Sequence, residues 1–138
     1  MRGRFRVFLD ANILFSAAKS DGAVRSLIDR VLDGGHECWV DEFVVTEARR
    51  NLVAKEPGSL EAFETLLLRL QVNQAHGIDA QSKEAAWLPE KDRPVLAAAI
   101  RLHCDYLVTG DKTHFGAGYG MKFGGVAICS PRSMLENL

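Results

Sequence analysis

The sequence predicts an α/β domain with a mainly parallel central sheet flanked by helices, and three observations support this. Short β-like runs alternate with helical segments, the pattern of a layered fold with crossover connections. Between Val24 and Leu32, apolar residues recur with a clear helical period. The 138 residues are about one domain's worth, and no repeat, linker or low-complexity tract divides them. The whole chain, 1–138, therefore reads as a single domain.

The elements follow in order. Phe5 to Leu9 forms a first strand ending at Asp10, and a helix runs from about Ala11 into Ala18. Val24, Leu27, Ile28, Val31 and Leu32 make one face of the next helix, with Arg25, Asp29, Arg30 and Asp33 opposite and Gly34-Gly35 as its stop. Cys38-Trp39-Val40 is a second strand. Asp41 then caps a helix to about Lys55, ended by Pro57-Gly58. Ser59 is expected to cap another, with Phe63, Leu66, Leu67 and Leu70 on one face. Residues 71–91 are less regular: a strand from Val72, a turn at Gly77-Ile78-Asp79 and a helical turn from Ser82 to Trp87. Pro94 suits the first turn of a helix whose body is Val95 to Leu102, and Tyr106 to Thr109 is a strand. Five glycines between Gly116 and Gly125 predict a mobile loop. Val126 to Ile128 is the last strand, and Pro131 to Leu138 a terminal helix.

Composition narrows the classes. The hydrophobic fraction is 47% and the charged fraction 25%, ordinary for a soluble domain. Seventeen Lys and Arg against eighteen Asp and Glu give a net charge of −1 and a pI near 6.4. A purely electrostatic nucleic-acid binder usually has a pI above about 9, so any such contact must come from a local patch. The longest apolar run, Val95 to Ile100, is far short of the roughly 18 residues of a membrane span. No signal-like apolar segment follows the basic start. Cys38, Cys104 and Cys129 are odd in number and widely spaced, which reads as reduced thiols in a cytoplasmic protein.

Four acids carry the chemistry. Asp10 ends the first strand, Asp111 follows the strand at Tyr106, and Asp92 opens the helix leading into that strand. Ligands of open parallel sheets collect at the carboxyl ends of strands, so these residues share one edge. Glu47 lies about 60° around its helix from Val44, on the flank of the stripe made by Val44, Val45, Ala48 and Leu52. Carboxylates about 4 Å apart repel by about 4 kcal/mol at an effective dielectric near 20. Their convergence therefore implies a bound cation or raised pKa values. An all-oxygen set suits Mg²⁺ or Mn²⁺, and such ions match phosphodiester hydrolysis. Each acid also has a plainer reading: Asp10 and Asp92 as helix caps, Glu47 as surface, Asp111 as turn chemistry. Capping and metal binding are compatible in one carboxylate.

Phe8-Leu9-Asp10-Ala11-Asn12-Ile13-Leu14 resembles the opening run of the PIN domain, the fold of VapC-type toxin ribonucleases. Val44-Val45-Thr46-Glu47-Ala48 is similar to its acid-bearing helix, and Asp92 to Ala99 to its alanine-rich helix. Cys104 to Asp111, with Phe115, resembles its closing segment. The resemblance implies a three-layer fold and Mg²⁺- or Mn²⁺-dependent hydrolysis of single-stranded RNA, leaving 5′-phosphate and 3′-hydroxyl ends. It makes Asp10, Asp92 and Asp111 metal ligands, direct or through water, with Glu47 supporting a second metal or the water. It also implies an antitoxin partner and a homodimer.

Asn12 is expected to order the Asp10 turn, and Thr109 to hydrogen-bond a carboxylate or the scissile phosphate. Asp105 reads as a turn residue and His114 as an exposed histidine without a role. Arg49, Arg50, Lys91, Arg93, Lys112 and Lys122 are candidates for phosphate contacts. A rival reading is a phosphatase or phosphoreceiver-like α/β protein in which an Asp after a strand is phosphorylated, but hydrolases of the haloacid-dehalogenase type want a second Asp where this chain has Asn12. Another is a catalytically silent PIN-like module that binds RNA or protein.

Overall fold

Val7, Phe8 and Leu9 are consecutive and all buried. Neighbouring strand residues point to opposite faces, so other elements must cover both sides of the strand. That strand, β1 (Arg6–Leu9), is central in the computed structural model, which describes residues 3–74 and 83–138. In chain order it is followed by α1 (Ala11–Lys19), α2 (Ala23–Asp33), β2 (Glu37–Asp41) and α3 (Glu42–Lys55). Next come α4 (Leu60–Leu67), β3 (Gln71–Asn73), α5 (Arg93–Arg101) and β4 (Tyr106–Val108). The chain closes with α6 (Lys112–Phe115), β5 (Lys122–Phe123), β6 (Val126–Cys129) and α7 (Pro131–Glu136).

The six strands lie in the order β3-β2-β1-β4-β6-β5, parallel except for the antiparallel β5–β6 pair. The α/β architecture expected from the alternating pattern is therefore present. Winding proceeds outward from β1 through β2 to β3, then resumes on the other side at β4. The sheet thus changes winding direction between β1 and β4, and a crevice opens at the carboxyl ends of such strands. Leu9 pairs with Val108, and the Asp10 amide donates to the Val108 carbonyl at 3.1 Å. The residues just after both strands are held side by side.

Caps fix where the helices begin and end. Asp41 accepts from the Val44 amide at 3.1 Å and starts α3 as expected. After α2, Gly35 takes φ of 84°, a left-handed conformation that glycine adopts without strain, and the His36 amide returns to the Val31 carbonyl at 3.1 Å. Cys38, Cys104 and Cys129 are free and buried, and burial pushes their thiols up to about 12, 12 and 11.

Some expectations are corrected. Ser59 makes no capping bond: Pro57–Ser59 forms a 3₁₀ turn that runs directly into α4. Leu70 is buried, but it lies beyond the end of α4. Segment 116–125, expected as a loop, is partly regular. It forms a 3₁₀ turn, Gly116–Gly118, and then β5, which pairs with β6. Trp87 stacks on Phe123 with ring centroids 4.8 Å apart. A side chain at Gly118 would meet the Trp87 ring at 2.6 Å, so glycine here makes room for the indole. The turn expected at Gly77-Ile78-Asp79 lies outside the described residues; Lys83–Ala85 forms one 3₁₀ turn.

Candidate active site

The carboxyl end of β1 delivers Asp10, which is 5% exposed and anchored by three donors. Its Oδ1 accepts from the Ala11 amide at 2.7 Å, so Asp10 does cap α1. Its Oδ2 accepts from the Thr109 hydroxyl at 2.8 Å and from the Asn12 amide group at 3.2 Å. Asn12 also accepts from the Gly110 amide at 2.8 Å, tying the end of β1 to the turn after β4. Asn12 and Thr109 thus both hold Asp10 in place. Burial raises the Asp10 pKa to about 6, opposed by the Thr109 and Ala11 hydrogen bonds and reinforced by the Glu47 and Asp92 charges.

Asp111 caps α6 by accepting from the His114 amide at 3.0 Å. Asp92, by contrast, makes no capping bond to α5, so the cap reading fails there. Its Oδ2 is buried and has no hydrogen-bond partner among the described residues. Burial first, and the Asp111 charge to a lesser degree, raises its pKa; His114 and Lys91 pull it back. His114 is not an exposed, idle residue as expected. It is half-buried, with Nδ1 3.0 Å from Asp92 Oδ2 and 2.9 Å from Asp111 Oδ2. Donor atoms of Asp92, Asp111 and His114 all lie within 4.8 Å of one another.

Glu47 and Asp10 stand outside that tight group but line the same cavity, of about 370 Å³, with Asp92 and Asp111. A groove of about 450 Å³ between α2 and α4 includes Arg25, Glu61 and Arg69 but brings no carboxylates together. The acid-lined cavity also takes Phe15, Ser16, Asn51 and Lys55, which the sequence reading missed. Helical spacing carries the signal for them. Phe15 and Ser16 follow Asn12 at i+3 and i+4, Asn51 and Lys55 follow Glu47 at i+4 and i+8, and His114 follows Asp111 at i+3.

Of the basic candidates, Lys91 alone lines this cavity. Arg49 pairs with Glu64 at 2.9 Å, and Arg93 donates to the Leu88 and Ala86 carbonyls at 2.9 and 3.3 Å. Both arginines brace the fold. Asp105 does not line the cavity; it ties the start of β4 to β1 by accepting from the Arg6 amide at 2.8 Å.

The donor set fits a divalent cation. Oxygens dominate it, as hard ions require, and an unpartnered buried carboxylate oxygen faces a second carboxylate and an imidazole.

A parallel α/β sheet with an acidic centre at its switch point defines the class. The match of the PIN domain family model to residues 6–113 defines the family, and the chain belongs to it. A search among curated proteins returned no match. Solved structures of similar fold include VapBC2 from Rickettsia felis bound to a promoter DNA fragment, with 14% identity over 91% of this chain and 98% of that chain and a TM-score of 0.66. VapBC-1 from nontypeable Haemophilus influenzae is 15% identical over 92% and 98%, with a TM-score of 0.63. VapC20 from Mycobacterium tuberculosis, a sarcin-ricin loop cleaving toxin, is 13% identical over 81% and 95%, with a TM-score of 0.59. At these identities the likeness is one of fold.

Proposed function

We propose that this chain is a Mg²⁺- or Mn²⁺-dependent endoribonuclease that hydrolyses phosphodiester bonds in single-stranded RNA, acting as the toxin of a toxin–antitoxin pair. The observation that carries the reading is the convergence of Asp10, Glu47, Asp92 and Asp111, from four segments of the chain, on one cavity. The toxin assignment draws on the PIN family and on the toxin among the structures of similar fold. A protein antitoxin, a homodimer and a cytoplasmic setting belong to the same reading. Among the described residues, no helix is long and apolar enough to cross a membrane.

Asp10, Asp92 and Asp111 would hold the ion, with Glu47 at the flank of the cavity for a second ion or the attacking water. When bound, such an ion supplies hydroxide near neutral pH and neutralises charge building on the phosphate. The protein's own contribution is preorganisation. Asp10 is fixed by Thr109, Asn12 and the Ala11 amide before substrate arrives, so it needs no reorientation during reaction. Lys55 and Lys91 line the cavity and offer ammonium groups to the flanking phosphates. Phe15 gives a base an apolar surface to rest on.

The test is cleavage of end-labelled RNA. Single-stranded RNA should be cut with Mg²⁺ or Mn²⁺, leave 5′-phosphate ends, and survive intact with chelator or with Asp10→Asn. Cutting that persists through both treatments overturns the proposal. RNA bound but never cut, with either ion, favours the silent-module reading instead.

A further inference from the structure

We infer that His114 is a nitrogen ligand of the proposed metal centre, because its Nδ1 stands 3.0 Å from Asp92 Oδ2 and 2.9 Å from Asp111 Oδ2 while hydrogen-bonding neither. The inference rests on the metal-dependent reading above. It adds that the centre favours Mn²⁺ and other transition dications over Mg²⁺.

An imidazole nitrogen has one in-plane direction along which it holds a proton or binds an ion. A histidine acting as a strut would aim that direction at one carboxylate. Here both Nδ1 and Asp92 Oδ2 are shielded from solvent, and neither finds a hydrogen-bond partner among the described residues. Nδ1 therefore faces the space between two carboxylates, where a cation touching all three would sit.

The spacing agrees with octahedral coordination. Adjacent donors around an octahedral ion with bonds of about 2.1 Å sit about 3.0 Å apart, against about 3.4 Å for a tetrahedral ion. The separations of 3.0 and 2.9 Å match the octahedral edge. The backbone also fixes the arrangement. Asp111 accepts from the His114 amide at 3.0 Å, and the next residue, Phe115, is fully buried and pins the turn. Imidazole suits later first-row metals, whereas Mg²⁺ prefers oxygen throughout, so one nitrogen in the set shifts the preference.

The test uses the full chain loaded with Mn²⁺ alone and read by pulsed electron paramagnetic resonance. Wild type should show nitrogen-14 modulation from a directly bonded imidazole. His114→Gln should lose it, while His103→Gln, at an exposed position, should keep it. The ratio of Mn²⁺ to Mg²⁺ affinity should fall about tenfold in His114→Gln, the scale on which changes around a bound metal act. Wild type that binds Mn²⁺ with no nitrogen signal overturns the ligand role and leaves the metal reading standing. A signal retained in His114→Gln overturns it as well. No Mn²⁺ binding at all overturns both.

Discussion

Asp10 is pulled in two directions: burial and the Glu47 and Asp92 charges favour its neutral form, while Thr109 and Ala11 favour the anion. Burial wins and places its pKa at about 6, against an ordinary value of 3.8. Between those values the folded chain keeps a proton that the unfolded chain has released. The resulting stability is complete below about pH 4 and is lost as pH rises through 6. At neutral pH the ionised side chain then opposes folding by up to about 3 kcal/mol. Asparagine keeps one acceptor but turns an amide toward the other donor, so the full relief is not recovered. Metal-free Asp10→Asn is expected to be more stable than wild type by about 1–2 kcal/mol at pH 7.5, with the gain shrinking by pH 4.5. Denaturant titrations at both pH values measure this. A destabilised variant at pH 7.5 would contradict the raised pKa. No composition or periodicity shows that Asp10 is caught between these forces: the burial that raises its pKa comes from the fold, and the hydrogen bond that opposes it comes from Thr109, 99 positions away in sequence.

Among the elements, those with a local cause were legible. The apolar stripe of α2, the Asp41 cap of α3 and the β1 run ending at Asp10 each depend on neighbours within a few residues, and each stands where expected. The β5–β6 pairing was not legible, because its glycines signal turns but not the indole they accommodate. Gly118→Ala would place its Cβ 2.6 Å from the Trp87 ring and 3.2 Å from Ile128. Overpacking of this kind costs about 1–3 kcal/mol. Thermal melts should show that loss, and Trp87→Phe in the same chain should return part of it. Gly118→Ala melting like wild type would mean that the turn yields freely. The two candidate caps separate in the same way. Asp41→Ala should cost about 1–2 kcal/mol through the lost bond to Val44. Asp92→Ala, with no such bond to lose, should leave the metal-free melt unchanged or raise it. Equal losses in both variants would restore the cap reading for Asp92.

At the scale of the whole molecule, the reversal of winding between β1 and β4 opens the cavity on which four distant sequence segments converge. The order of the acids was readable because each sits at a strand end or on a helix flank, positions that sequence pattern locates. Their distances were not, nor was the part played by His114, which depends on a helix of four residues placing it against Asp92 from another segment. Arg93 shows the opposite error: beside an acid it read as a phosphate contact, whereas it is spent on the Leu88 and Ala86 carbonyls. The central claim is that these carboxylates form one metal centre. An ion that binds only the folded chain stabilises it by about 2.7 kcal/mol at a hundred times its Kd. The most direct measurement is the shift in melting midpoint on adding Mn²⁺ to chelator-treated protein. Wild type should gain a saturable shift that is sharply reduced in Asp10→Asn, Asp92→Asn and Asp111→Asn, and reduced less in Glu47→Gln. A shift of the same size in wild type and all four variants would contradict the claim.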